Sequence, residues 1–138
     1  MSLCETAQEV VGLATRSGAT DAECTAVEYD EFSVNVRLGE VERLTDAGSR
    51  GVGVRVLVGR NAGSAYTSDL SPEGLRAMVD SAIASAAVTG EDPFAGLPDE
   101  QDLGRTNGDL QLFSPAVALL TTEEKIEQAR RAEAAAMA

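Results

Sequence analysis

The stretch GVGVRVLVGRNAGSAYTSDL, residues 51–70, decides the fold. Valine occupies every second position from 52 to 58, which is the period of a half-buried β-strand. Residues 59–63 contain two glycines that can take positive φ, and they predict a hairpin loop. Residues 64–68 are then the partner strand, and the small side chains of Ser64 and Ala65 favour close packing under a neighbouring element.

The period of two also runs through the segments before this hairpin. Residues 22–29, 32–38 and 41–45 alternate apolar with polar side chains, and each predicts a strand. Residues 38–40 predict a turn, and residues 46–49 interrupt the pattern. All these segments together predict an antiparallel meander sheet of four to five strands.

Three segments predict helices. The first extends from residue 3 to Gly18, a candidate C-cap. The second occupies residues 72–88 after the hydroxyl N-cap Ser71 and has a continuous apolar stripe. The third begins with a capping box formed by Thr121 and Glu124. Sheet and helices together predict an α+β fold, with the helices packed on one face of the sheet.

Proline and glycine interrupt residues 90–120 repeatedly, and a segment of this length is typical of a functional loop or a linker. We therefore expect an α+β domain at residues 1–120. Residues 121–138 are expected to be the start of a helix that leads into a further part of the protein. The helical pattern has no stop signal before Ala138, which predicts that the chain continues.

The composition excludes several classes of function. The formal net charge is −12 and the arginines are scattered among acids, so no basic surface is expected for duplex DNA or an anionic membrane. No run reaches the ~20 apolar residues of a membrane helix, and the start has no signal-peptide core. We therefore expect a cytoplasmic protein, whose two cysteines are too few for a disulfide scaffold.

The chain contains no histidine, which excludes Ser-His-Asp and Cys-His catalysis and zinc sites that need imidazole. Acid clusters at residues 40–46 and 91–102 match no calcium loop and are expected to be solvated. Residues 51–53 lack the third glycine of a dinucleotide loop and open a strand instead of a helix. We therefore predict no catalytic, cofactor-binding or metal-ligating residue in this chain.

A meander sheet leaves strand edges, and such an edge can recruit an extended peptide by adding it as a further strand. Residues 52–58 and residues 32–38 are the candidates for this role. The alternative is that these strands are internal or covered by the rest of the protein.

Three motifs in order resemble the amino-terminal domain of the TldD/PmbA family, whose members are labelled modulators of DNA gyrase. They are LGEVE at 38–42, RGVGVRV at 50–56 and GSAYTSDLS at 63–71. The segment EDPFAGLP at 91–98 favours the PmbA (TldE) branch. The resemblance extends over nearly the whole chain.

The resemblance implies the amino-terminal domain of a longer subunit of a metalloprotease assembly. In this family a TldD-type subunit binds zinc beyond this domain, through a His-Glu-x-x-x-His helix and a cysteine, and the assembly cleaves unfolded peptides in a closed chamber. No catalytic or zinc-binding residue carries over to this chain, so zinc is expected only in a full-length TldD-type subunit. The implied role is to shape the peptide cavity and to contact a TldD-type partner subunit or a second copy of the chain.

Two other hypotheses remain. The chain could be a direct gyrase-binding domain or an acidic DNA mimic, although its acids alternate with arginine, as at residues 40–43. It could also be a stand-alone structural domain. The sequence after Ala138 would discriminate among them: a His-Glu-x-x-x-His motif there indicates the catalytic branch, and a long chain without it indicates the PmbA branch.

Overall fold

The computed structural model describes residues 2–104, 110–112 and 114–138. In chain order the elements are α1 (Leu3–Arg16), β1 (Asp21–Arg37), β2 (Glu40–Val58), β3 (Asn61–Thr67), α2 (Pro72–Val88), a 3-10 helix (Glu100–Asp102), α3 (Pro115–Ala118) and α4 (Thr122–Met137). This content confirms the predicted α+β class. No helix in the described part of the chain has both the length and the apolar character needed to cross a membrane.

Among the described residues, the antiparallel sheet has three strands in the order β1-β2-β3, so the predicted number of four to five strands is wrong. The predicted hairpin is confirmed: β2 and β3 pair from Val52 opposite Thr67 to Val58 opposite Asn61. The difference in number arises because β1 contains two of the predicted strands, and β2 contains two more.

Two exposed stretches, residues 27–31 and 46–49, explain this difference, because they interrupt the buried alternation without ending a strand. Residues 27–31 are exposed at every position, so backbone pairing alone keeps the chain extended there. Gly48 lies beneath a neighbouring side chain, since a Cβ at this position would stand 2.8 Å from Asp30 Oδ1. Glycine here admits the Asp30 side chain and does not mark the end of the strand.

Contacts divide the chain into two compact units, Met1–Tyr29 with Ser49–Leu103 and Asp30–Gly48 with Gly104–Ala138. Among the described residues, every buried apolar side chain belongs to the first unit. The second unit contains the turn between β1 and β2 together with α4.

The core of the first unit lies between the sheet and α1 and α2. Its buried residues are Val10, Ala14, Ala19, Val52, Val54, Val56, Leu75, Met78, Val79, Ala82 and Ala86. Both helices contribute residues to one core that also contains Val52, Val54 and Val56 of β2, as expected of helices packed on one face of the sheet. Gly63 permits the close approach of α2, because a Cβ there would stand 2.1 Å from the Ala82 carbonyl oxygen. Ala65 packs against this core as predicted, whereas Ser64 is exposed.

The predicted helix starts are confirmed by local hydrogen bonds. The side chain of Ser71 caps α2 by accepting from the backbone of the first turn. At α4, Thr121 Oγ1 accepts from Glu124 N at 3.2 Å, and Glu124 Oε2 accepts from Thr121 N at 2.8 Å. Sequence analysis missed an equivalent capping box at α1, formed by Ser2 and Glu5.

In its described part, the long segment between α2 and α4 contains two short elements, the 3-10 helix and the single-turn α3. Its described side chains are exposed except for three that are half-buried, Ala95, Leu97 and Leu120. Residues 105–109 and 113 of the predicted loop lie outside the described residues.

Candidate functional site

The order of the strands decides which of the two candidate segments has a free edge. β2 pairs with β3 on one side and with β1 on the other, so residues 52–58 are internal and cannot accept an added strand. For this segment the structure agrees with the alternative that the strand is internal. Residues 32–37 lie on β1, an outer strand, and no other strand of the described chain lies on its free side.

Within the second unit, the candidate edge is formed by residues 30–37 of β1. Phe32, Val34 and Val36 are half-buried, and Ser33 and Asn35 between them are exposed. The two sets point to opposite faces because side chains alternate along a strand. The backbone N–H and C=O groups at a free strand edge are available to a further extended segment.

α4 identifies which face of this segment is covered. Lys125 Nζ lies 4.6 Å from the centroid of the Phe32 ring, within the range of a cation–π contact. The Phe32 face is therefore directed towards α4, and the face with Ser33 and Asn35 is directed away from it. A peptide added to this edge would meet small polar side chains on the uncovered face.

Charged side chains flank the edge at both ends. Asp30 and Glu31 are its first two residues, and Arg37 is its last, with Nη1 3.5 Å from Glu42 Oε1. Both partners of this ion pair are largely exposed, so it contributes little to the free energy of folding. Charged side chains are one means by which native proteins protect an edge strand from unwanted pairing with other chains.

In the first unit, the glycines at the start of the 52–58 segment accommodate an aromatic side chain. A Cβ on Gly51 would stand 2.2 Å from Tyr66 Oη, so glycine leaves room for the ring in its present position. Tyr66 itself is 68% exposed.

Arginine side chains hold the segment after α2 against the sheet of the first unit. Arg55 Nε donates to Glu23 Oε1, and Arg55 Nη2 donates to the Gly96 carbonyl at 3.2 Å. Arg60 Nη1 donates to the Pro93 carbonyl at 3.1 Å. The motif at 91–98 is thus anchored to β2 and to the loop after it.

The hydroxyl and carboxyl groups after β3 build the turn into α2. Thr67 Oγ1 accepts from Asp69 N at 3.0 Å, and Asp69 Oδ1 accepts from Ser71 N at 2.9 Å. The hydrogen bonds from Ser71 lower the pKa of the Asp69 carboxyl. A carboxyl that stays ionised in this way supports the turn and is a poor proton donor near neutral pH.

The residues of this chain do not fit a zinc site. The chain has no histidine, and its described residues contain no group of three or more His, Cys, Asp or Glu side chains placed to hold a metal ion. Cys4 is exposed on α1, and Cys24 is half-buried on β1, where burial raises the pKa of its thiol. A raised pKa disfavours the thiolate form that zinc binds.

Comparisons with known proteins agree on one family. Residues 22–86 match the family model described as PmbA/TldA metallopeptidase domain 1. The chain is 38% identical over 122 residues to Metalloprotease PmbA of Escherichia coli O157:H7, and 34% identical over 127 residues to Metalloprotease PmbA homolog of Haemophilus influenzae. These matches cover 88% and 92% of this chain but only 27% and 28% of the relatives, so the chain spans just over a quarter of their length.

Solved structures share the fold at low sequence identity. A proposed modulator of a DNA gyrase from Thermotoga maritima has a TM-score of 0.71 and 23% identity, covering 95% of this chain and 28% of that chain. A similar protein from Bacteroides thetaiotaomicron has a TM-score of 0.74 and 23% identity, with 93% and 29% coverage. TldE from Thermococcus kodakarensis has a TM-score of 0.60 and 15% identity, with 67% and 21% coverage. With the family match and the two sequence relatives, these findings show that the chain belongs to the PmbA/TldD family, as its amino-terminal domain.

Proposed function

We propose that this chain is a non-catalytic domain of a TldD/PmbA-type metallopeptidase assembly that degrades or processes unfolded peptides. Two observations support this: its family includes Metalloprotease PmbA, and the chain has no histidine while its described residues contain no group of side chains placed to hold a metal ion. Zinc and peptide cleavage then belong to a TldD-type subunit of the assembly. This domain helps to shape the substrate cavity and contacts that subunit or a second copy of the chain.

We further propose that the free edge of β1, at residues 30–37, guides the peptide. The outer position of β1 in the sheet is the observation that carries this role. Strand addition uses backbone hydrogen bonds, which every extended peptide can make whatever its sequence. Such an edge suits a protease whose substrates are unfolded chains of varied sequence.

A role as a DNA mimic has less support. A mimic needs unpaired acids aligned on one surface, whereas Glu23 pairs with Arg55 and Glu42 pairs with Arg37. A pull-down of gyrase by this chain alone that weakens with salt would favour the gyrase-binding hypothesis over the peptidase one.

Photo-crosslinking tests the role of the edge. A benzoylphenylalanine is introduced at Asn35 on the β1 edge or, as a matched control, at Ser81, which is exposed on α2. Each variant is mixed with a disordered, fluorescein-labelled peptide and irradiated. We expect the label on the Asn35 variant and little on the Ser81 variant, because only the first position borders a free edge. Equal labelling of both would contradict the proposed site.

The same peptide tests the absence of catalysis in this domain. The chain is incubated with equimolar zinc, and peptide fragments are followed by mass spectrometry against a sample with zinc alone. We expect no hydrolysis above that background. Cleavage by the chain would refute the non-catalytic assignment, independently of the crosslinking result.

A further inference from the structure

The turn between β1 and β2 has an unusual backbone for its sequence. Leu38 and Gly39 connect the two strands, and their φ angles are 53° and 80°. A two-residue hairpin with positive φ at both positions is the type I′ geometry, which favours Asn, Asp and Gly. Leucine is a poor residue for the left-handed conformation because its Cβ crowds the backbone. Something beyond the local sequence must hold this turn.

A carboxylate from α4 binds both central residues of the turn. Glu133 Oε1 accepts from Leu38 N at 2.6 Å, and Glu133 Oε2 accepts from Gly39 N at 2.8 Å. Successive backbone N–H groups in such a turn form a concave anion-binding site. Here the anion is supplied by the chain itself, from a residue 94 and 95 positions away.

Arg130 completes the contact from the same side of α4. Its Nε donates to the Gly39 carbonyl at 2.9 Å. Arg130 and Glu133 are three residues apart, so they lie on the same face of the helix. One helix face thus satisfies both donors and one acceptor of the turn, and all three hydrogen bonds involve a charged group.

The apolar contribution to this contact is small. α4 has no fully buried residue, and its half-buried positions are Lys125, Ile126, Ala129, Arg130 and Glu133. Hydrogen bonds to charged groups are stronger than neutral ones, and here they replace the apolar burial that usually holds a helix in place.

We infer that Glu133 is a latch that fastens α4 to the hairpin turn and keeps Leu38 in its left-handed conformation. While the latch is closed, α4 stays beside the arm, which is the β1–β2 hairpin at residues 30–48, and keeps the Phe32 face of β1 half-buried. When it opens, the turn relaxes and that apolar face of β1 becomes exposed. The arm and α4 therefore stay packed together only while Glu133 binds the turn, and Glu133 is the residue that positions α4 there.

Amide hydrogen exchange by NMR tests the latch in the 138-residue chain. Glu133→Gln is compared with Glu127→Gln, a matched change at an exposed position on the same helix. We expect the Leu38 and Gly39 amides of Glu133→Gln to exchange about tenfold faster or more, since a hydrogen bond to a charged group is worth at least that factor. The Glu127→Gln variant should match the parent chain. Unchanged exchange in Glu133→Gln, or equal acceleration in both variants, would overturn the latch.

A second variant separates the latch from general loss of structure. Leu38→Gly removes the steric cost of positive φ, so the turn needs less help from Glu133. In the Leu38→Gly background, Glu133→Gln should change the exchange of the Gly39 amide less than it does in the parent chain. An equal change in both backgrounds would show that Glu133 does not hold the left-handed turn.

Discussion

At the residue scale, Gly63 sets the distance between α2 and the sheet. A Cβ at this position would stand 2.1 Å from Ala82 O and 2.4 Å from Ala86 N. These are backbone atoms of a helix, so they cannot rotate away as a flexible side chain could. The requirement for glycine here is steric and does not come from positive φ.

Gly63→Ala should therefore lower the free energy of unfolding by about 1–3 kcal/mol or more, the usual range for overpacking a core. Gly53→Ala is the matched control on the neighbouring strand, because its nearest contacts would lie at 3.9 Å. Urea unfolding followed by circular dichroism measures both. Equal losses in the two variants would contradict the close approach of α2.

At the element scale, the first turn of α4 shows how local hydrogen bonds stabilise the start of a helix. Hydrogen bonds from Thr121 lower the pKa of the Glu124 carboxyl below its ordinary value of 4.5. A pKa that is lower in the folded state than in the unfolded state means that the ionised carboxyl stabilises the fold. This contribution is present above pH 4.5 and is lost as the pH falls through the folded-state pKa.

Glu124→Gln should accordingly be less stable than the parent chain near neutral pH, and the difference should shrink as the pH drops below 4.5. Glu123→Gln is the control, since this acid lies in the same first turn outside the capping box. Urea unfolding at a series of pH values measures both variants. A difference that grows at low pH would show that the sign of the Glu124 contribution is wrong.

At the scale of the whole molecule, the two compact units differ in how much apolar burial stabilises each of them. The described part of the first unit contains all the buried apolar side chains, whereas α4 of the second unit contributes none. Apolar burial is the main favourable term in folding, so local stability should follow its distribution.

We expect the amides of β2 between residues 52 and 58 to exchange only through global unfolding, and those of α4 to exchange faster through local opening. Hydrogen exchange with peptide-level mass spectrometry measures both in one sample. Added urea should accelerate the β2 amides more strongly, because a larger opening exposes more surface. Identical rates and identical urea dependence in both segments would contradict this difference between the units.

Some of the fold could be predicted from the sequence, because the relevant interactions connect residues a few positions apart. The capping box at Thr121, the cap at Ser71 and the β2-β3 hairpin all appear as expected. Gly18 follows α1 in the left-handed conformation with a φ of 104°, although Ser17 is the C-cap. Such features depend on local hydrogen bonds and backbone preferences, which a short stretch of sequence specifies.

The number of strands could not be predicted in the same way. Residues 30–31 and 46–49 are polar or small, and sequence patterns alone do not distinguish a solvated strand from a turn. One signal was available in β1: its half-buried residues keep the same alternation, at 22, 24 and 26 and again at 32, 34 and 36. Both sets fall on even-numbered positions, so the same face of the strand is half-buried on either side of residues 27–31.

The sequence by itself determined the helix starts, the α+β class, the lack of imidazole and the resemblance to the family. Only the tertiary structure decided that β2 is central, that β1 is an outer strand, and that Glu133 binds the Leu38 turn. The physical reason is distance along the chain. Caps and turns join residues within three or four positions, whereas strand order and the Glu133 contact join segments whose pairing depends on the packing of the folded chain.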